Sequence, residues 1–256
     1  MIRLFTTVYS ETDEKRRSEY RKCFELNSAC KFIDEIRVLS EGGEEALPQS
    51  KKIHVRQVSQ RPTYQRYFDW ITELAADSDI TIIANSDIFF DPQLAFFRHW
   101  KMPQNTVFAL SRWDYETGKL PRLFDRNDSQ DAWIFRGRPT GVSGSFPIGM
   151  PRCDNRIAAE FERAGYKVLN PSFSLRCFHV HESTPRPYLD AAHSEEIPLP
   201  YKYVWPHNLF GPLETMVHNL KHRDSQLYWR FDRRKFAQWL PIRLLSKMTR
   251  VFQVVA

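Results

Sequence analysis

The chain has 256 residues, 42% of them hydrophobic and 27% charged, which suits one large or two small globular domains and excludes a disordered chain. Gly is scarce, at 9 residues, and neither GxGxxG nor GxxxxGK[ST] occurs, so the dinucleotide and Walker-type phosphate loops are excluded. The net charge is +6, but residues 201–256 carry ten Lys and Arg against three acids, a net +7, which leaves −1 for residues 1–200. A near-neutral body argues against nucleic acid as the partner, and any anionic partner is expected to meet the tail. The four Cys (23, 30, 153, 177) form no CxxC pair and read as thiols in a reducing compartment, the cytoplasm. The N-terminus has no signal-like apolar run, and no stretch of apolar residues is long enough to span a bilayer.

In chain order, residues 2–9 read as a strand, 13–30 as a helix, 35–42 and 51–58 as strands, and 63–76 as a helix with Tyr67, Trp70, Ile71 and Leu74 on one face. Residues 80–91, ITIIANSDIFFD, give the strongest strand signal, because a continuous β-branched run marks a strand buried on both faces. Residues 107–114 read as another strand. Residues 115–150 read as an irregular functional stretch with an apolar island, AWIF, at 132–135. Asp154 to Ala164 reads as a helix ended by Gly165, and 166–172 and 173–181 as short strands, followed by an irregular wrap over 184–212. Strands alternating with helices predict an α/β fold with a mostly parallel central sheet.

Three constellations carry chemistry. Asn85-Ser86-Asp87 closes the buried strand, where an α/β sheet places its ligands. Asp87 there is either a ligand for a hard divalent cation or a turn-capping residue. Asp154 opens a helix after Pro151, where the helix dipole favours the ionised carboxylate; it reads as a general base, an N-cap, or both. His179 and His181 share a face of one strand, as metal ligands or as structural residues.

The order of these elements resembles the GT-A fold of nucleotide-sugar glycosyltransferases: a strand ending in NSD, a loop, a helix start at Asp154 followed by AGYKVLNPS, then a strand with His. The resemblance covers roughly residues 1–185. It implies that Asp87 matches the last Asp of a DXD motif, which binds a divalent metal (Mn2+ or Mg2+) and the donor diphosphate. It implies that Asp154 matches the base of inverting members, and that His179 or His181 matches a late metal ligand. Thr6, Thr7, Arg61, Tyr64, Asn85 and Ser86 then face the nucleotide-sugar donor, and Asp131, Trp133 and Asn155 the acceptor. Two positions depart from the pattern. Asn85 replaces the first Asp, which weakens or removes the need for metal, and Cys153 replaces one acid of the usual pair.

The expectation is a GT-A-like domain over 1–212 with a basic extension over 213–256. It transfers a sugar to a glycan or lipid-linked acceptor, as in polysaccharide biosynthesis. A sugar nucleotidyltransferase would need a Gly- and Lys-rich loop after the first strand, where this chain has YSETDEK. A non-catalytic carbohydrate- or membrane-binding module is the other alternative, and Asn85 favours it. Residues 233–256 hold six Lys and Arg and no acid, with Leu244, Leu245, Met248, Val251, Phe252 and Val255 at helical spacing and Trp239 before them. They read as an interfacial helix at the inner face of the membrane, or as a helix packed on the domain or on a partner subunit.

Overall fold

The structure is a computed structural model that describes residues 1–181 and 197–209. The extension at 213–256, the boundary at 212 and most of the expected wrap over 184–212 lie outside the described residues.

Strands β1 (Ile2–Val8), β2 (Glu35–Ser40) and β3 (Ile53–Gln57) pair in parallel, with helix α1 (Glu14–Ala29) between β1 and β2. Asp13 starts α1, its carboxylate accepting from the backbone N–H groups of Lys15 and Arg16. Helix α2 (Tyr64–Leu74) returns the chain to β4 (Ile80–Ala84), which pairs in parallel with β1 on the side away from β2. After β5 (Ile88–Phe90) and the short helix α3 (Phe96–His99) come β6 (Thr106–Leu110), β7 (Trp113–Tyr115), β8 (Arg122–Leu123) and β9 (Ala132–Arg136). Helix α4 (Cys153–Arg163), β10 (Lys167–Leu169) and β11 (Cys177–Val180) complete the fold. The main sheet has the order β10-β6-β9-β4-β1-β2-β3, and only β9 runs antiparallel to its neighbours. The second sheet has the order β5-β11-β7-β8.

The strands of the main sheet alternate between two buried faces, as period-2 geometry requires. Leu4, Ile82, Phe108 and Ile134 pack towards Tyr20 and Phe24 of α1. Phe5, Ile83, Ala109 and Trp133 pack towards Tyr67, Trp70 and Ile71 of α2 and Phe161 of α4. Both faces are therefore covered by helices, which is why β4 is buried at all five positions and is apolar except for Thr81.

Three expectations are corrected. Residues 80–91 are not one strand: the chain breaks at Asn85-Ser86-Asp87, β4 staying in the main sheet and β5 joining the second. The strand expected at 107–114 likewise divides after Leu110, and Trp113 belongs to the second sheet. The apolar island in the expected irregular stretch is β9, which is hydrogen-bonded on both sides, to β4 and β6. Its four apolar side chains are all buried, and Trp133, Ile134 and Phe135 each add about 2 kcal/mol to a ladder that the flanking polar loops conceal in the sequence.

Candidate active site

The chain leaves β1 in one direction to β2 and β3, and returns to β4 on the other side. This makes a topological switch point beyond the carboxyl ends of β1 and β4, the usual ligand position of such sheets. β6 ends and β9 begins at the same edge. The Asn85 N–H donates to the Asp131 carbonyl (3.2 Å) and the Asp131 N–H to the Leu110 carbonyl (2.9 Å), which ties the three strand ends together.

Asp87 sits at the break between β4 and β5. Its Oδ2 lies 3.2 Å from His179 Nε2 on β11 and 3.8 Å from Arg16 Nη2 on α1. Burial alone would raise this carboxyl. The charge and hydrogen bond of His179, with Arg16 and Arg112, outweigh burial and bring it down to about 2. Burial would lower the His179 imidazole, but the Asp87 charge and hydrogen bond raise it. The Arg16 guanidinium is held above its usual range against the pull of burial, by Tyr20 and by Asp87.

Asp131 is 6% exposed. It accepts from Asn85 Nδ2 (3.1 Å) and from Arg112 Nη1 (3.4 and 3.5 Å), while Arg112 Nε donates to Asp114 (2.9 Å). Burial raises the Asp131 carboxyl even with Arg112 beside it, and the nearby Asp87 charge adds to the rise. Asp154 Oδ2 accepts from the Gln130 backbone N–H (3.2 Å), and Oδ1 from the Asn155 N–H (2.9 Å). Burial pushes its carboxyl up to about 6, against those two hydrogen bonds and with the Asp131 charge adding to the rise. Desolvation thus outweighs the helix-start effect expected to favour the ionised form, although a carboxyl at about 6 is still ionised at neutral pH. Asp154 is not the N-cap either: Arg152, in the left-handed region at φ 69°, precedes α4, and Asp154 lies in its first turn.

The structure thus brings Asn85, Asp87, Asp131, Asp154 and His179 to one edge. His181 is next to them, its ring 5.6 Å from that of His179. Thr6 is buried and its hydroxyl oxygen has no hydrogen-bond partner; Thr7 and Ser86 are half-buried. Arg61 is exposed, its nearest polar contact being Met150 Sδ at 3.6 Å. Tyr64 and Trp133 are packed away from the surface, each 1% exposed and stacked edge to face at 5.5 Å. The reason is register: Trp133 pairs with Ile83 and Ala109 in mid-sheet, and Tyr64 covers it from α2. Neither ring presents a face to a ligand. Asn155 is also buried, its Nδ2 directed to Gln130 Oε1 (3.5 Å).

Arg16 and Arg112 were not singled out by sequence reasoning. Both guanidiniums lie among the carboxylates, and nothing in the local pattern of either residue separates it from a solvated charge.

For a divalent ion, the chemistry of the donor set is favourable but incomplete. Asp87 Oδ1 and His179 Nδ1 are buried without hydrogen-bond partners. Among the described residues no three His, Cys, Asp or Glu form a metal cage. A site of one carboxylate completed by water and substrate phosphates is the ordinary manner of Mg2+.

No family model matches the chain, and no curated protein matches it. Among solved structures it is similar to 4-diphosphocytidyl-2C-methyl-D-erythritol synthase from Anaerococcus prevotii, at 14% identity and TM-score 0.41, covering 68% of this chain and 88% of that one. It is also similar to mannosyltransferase PcManGT from Pyrobaculum calidifontis, in complex with GDP-Man and Mn2+, at 12% identity and TM-score 0.46, over 73% of this chain and 58% of that one. A third is S. aureus TarS 1–349 in complex with UDP-GlcNAc, at 10% identity and TM-score 0.43, over 72% of this chain and 59% of that one. The chain therefore spans little more than half the length of the two sugar-nucleotide complexes. Likenesses this distant decide nothing about the reaction, which rests on the site itself.

Proposed function

We propose that this chain is a glycosyltransferase that moves a sugar from a nucleotide-sugar donor to a hydroxyl of a glycan or lipid-linked acceptor. The observation that carries the reading is the division of labour among the carboxylates. Asp87 is held ionised at about 2, while Asp154, at the same edge, is raised to about 6. Carboxyls driven apart in this way suit different roles. Asp154 is poised near neutral pH to take the proton of an acceptor hydroxyl, the base of an inverting transfer. Arg16 and Arg112 place positive charge beside Asp87 and Asp131, where it offsets the charge of a departing diphosphate. Asp87, with Asn85 and His179 beside it, is the residue that would hold Mn2+ or Mg2+. The metal, when bound, would add Lewis-acid neutralisation of the diphosphate.

The stretch after β1, Tyr9 to Asp13, contains no Gly and no Lys and carries the buried Glu11, which disfavours the nucleotidyltransferase alternative. Residues 213–256 are proposed as a separate basic extension whose residues 233–256 adhere to the inner, anionic face of a membrane. Among the described residues, no helix is long and apolar enough to cross one.

The test is a thermal-shift screen of UDP, GDP, CDP and dTDP with and without Mn2+, followed by transfer or hydrolysis of the matching nucleotide sugar. One diphosphate should raise Tm, by mass action on the folded state, and Asp87→Ala should lose the Mn2+-dependent part. No response to any nucleotide, with or without metal, refutes the reading.

A further inference from the structure

Beside the carboxylate cluster lies an open cavity of about 410 Å³, lined by Asp114, Arg122, Leu123, Phe124, Asp125 and Arg126. Its volume falls within the range of small-molecule sites, about 300–1,000 Å³. We infer that this cavity is a binding site for a neutral sugar unit of the acceptor, an inference that rests on the glycosyltransfer reading.

The lining chemistry selects the occupant. Two guanidiniums and two carboxylates balance in charge, so the cavity is not an anion trap. A planar guanidinium presents paired donors, which match the vicinal hydroxyls of a pyranose; that of Arg126 is already engaged by Asp128, at 2.8 Å from Nε and 2.6 Å from Nη2. Phe124 adds an apolar surface for C–H groups and is itself fixed, with the Arg112 guanidinium 4.2 Å and that of Arg126 5.6 Å from its ring centre. Arg122 is the group left over. It is exposed and lies across the β7–β8 pair from Asp114, but Asp114 is already taken by Arg112 Nε at 2.9 Å. Among the described residues, Arg122 joins no carboxylate.

The cavity is also continuous with the chemistry. Arg112 bridges its wall at Asp114 to Asp131. The loop from Arg122 to Gln130 forms the lining at one end and, at the other, donates to Asp154 from the Gln130 N–H. Ser111 Oγ holds that loop by its Arg126 (3.3 Å) and Ser129 (3.0 Å) carbonyls. A sugar seated in the cavity is therefore carried by the same loop that supports the base.

The experiment titrates the full chain with maltose, cellobiose, lactose, mannobiose, N,N′-diacetylchitobiose and inorganic phosphate, following saturation transfer by NMR, with UDP and GDP in parallel. At least one disaccharide is expected to bind, and Arg122→Ala to weaken it about tenfold or more, the scale of lost hydrogen bonds to a charged group. Nucleotide binding should not change in that variant. Arg122 is exposed, so its replacement leaves the core intact. Absence of disaccharide binding to the wild type overturns the inference, as does binding indifferent to both Arg122→Ala and Arg126→Ala. Phosphate binding that depends on Arg122, without sugar binding, overturns it in favour of an anion site. Disaccharide binding lost in Arg122→Ala, in a chain that answers to no nucleotide, supports the sugar site and overturns the transfer reading instead.

Discussion

Replacing Asp154 with Asn should cut transfer sharply and stabilise the protein, and the stabilisation should depend on pH. Burial raises this carboxyl to about 6, against about 3.9 for an unfolded Asp. Because the folded value is the higher one, the stability conferred by the protonated acid is present below pH 4 and lost as pH rises through 6. Two units at about 1.4 kcal/mol each make that loss about 3 kcal/mol at pH 8. Asn has no charge to desolvate and escapes it. It keeps one acceptor oxygen, however, for the two N–H groups of Gln130 and Asn155 that Asp154 now serves. The unmatched N–H costs about 1 kcal/mol. The variant should therefore be about 2 kcal/mol more stable at pH 8, a Tm gain of about 4–8 °C for a chain of this size. Near pH 4.5 the two contributions cancel. Differential scanning fluorimetry of both proteins from pH 4.5 to 8 measures the difference, and other titrating groups drop out because both chains share them. Transfer should fall about 100-fold or more at every pH, and in the wild type it should rise with pH to a plateau above about 6. A Tm difference that is flat across pH, or a loss of stability at pH 8, refutes the argument that burial sets the Asp154 carboxyl.

Arg112→Ala leaves the Asp131 carboxylate buried without its cation and should cost about 3 kcal/mol in urea unfolding; adding Asp131→Asn should recover much of that, while additive losses would show that the two are not coupled. Gly144→Ala should cost about 1–3 kcal/mol, because a Cβ there would meet the Gln65 backbone nitrogen at 2.5 Å and the Tyr64 carbonyl carbon at 2.7 Å; a Tm within about 1 °C of the wild type contradicts the close approach. The full chain should bind anionic liposomes more weakly as salt rises, and a chain ended at Leu240 should not bind them; equal binding by both removes the membrane role of the tail.

The central sheet was legible because strands buried on both faces are almost wholly apolar, and β4 is, apart from Thr81. The break after Ala84 was not, since Ile88-Phe89-Phe90 continue the same apolar pattern and period alone does not say which sheet they join. β9 escaped notice because five residues among polar loops look like an island until the strands on either side are known. Asp87 and Asp154 could be singled out because strand ends and helix starts have local signatures. Trp133 was misjudged for a related reason: an aromatic two residues after a carboxylate looks like a sugar platform, whereas its place in the ladder turns it into the core. The protonation of Asp154 is set by burial, which depends on groups distant in sequence such as Gln130 and Asp131.

The break at Asn85-Ser86-Asp87 has a mechanical consequence. The chain passes from the main sheet to the second one three times, at 85–87, 111–112 and 170–176, and the first two crossings bear charged or amide groups of the site, Asp87 and Asn85 at one and Arg112 at the other. The proposed chemistry is thus stretched over a seam, with Asp131 and Asp154 anchored to one sheet and His179 to the other. The small sheet is held by its own apolar cluster of Phe89, Trp113, Leu123 and Phe178. Loosening that cluster would shift the His179–Asp87 and Arg112–Asp131 contacts together without altering any group that touches substrate. The precision of the proposed reacting edge therefore depends on aromatic packing that takes no part in the proposed reaction.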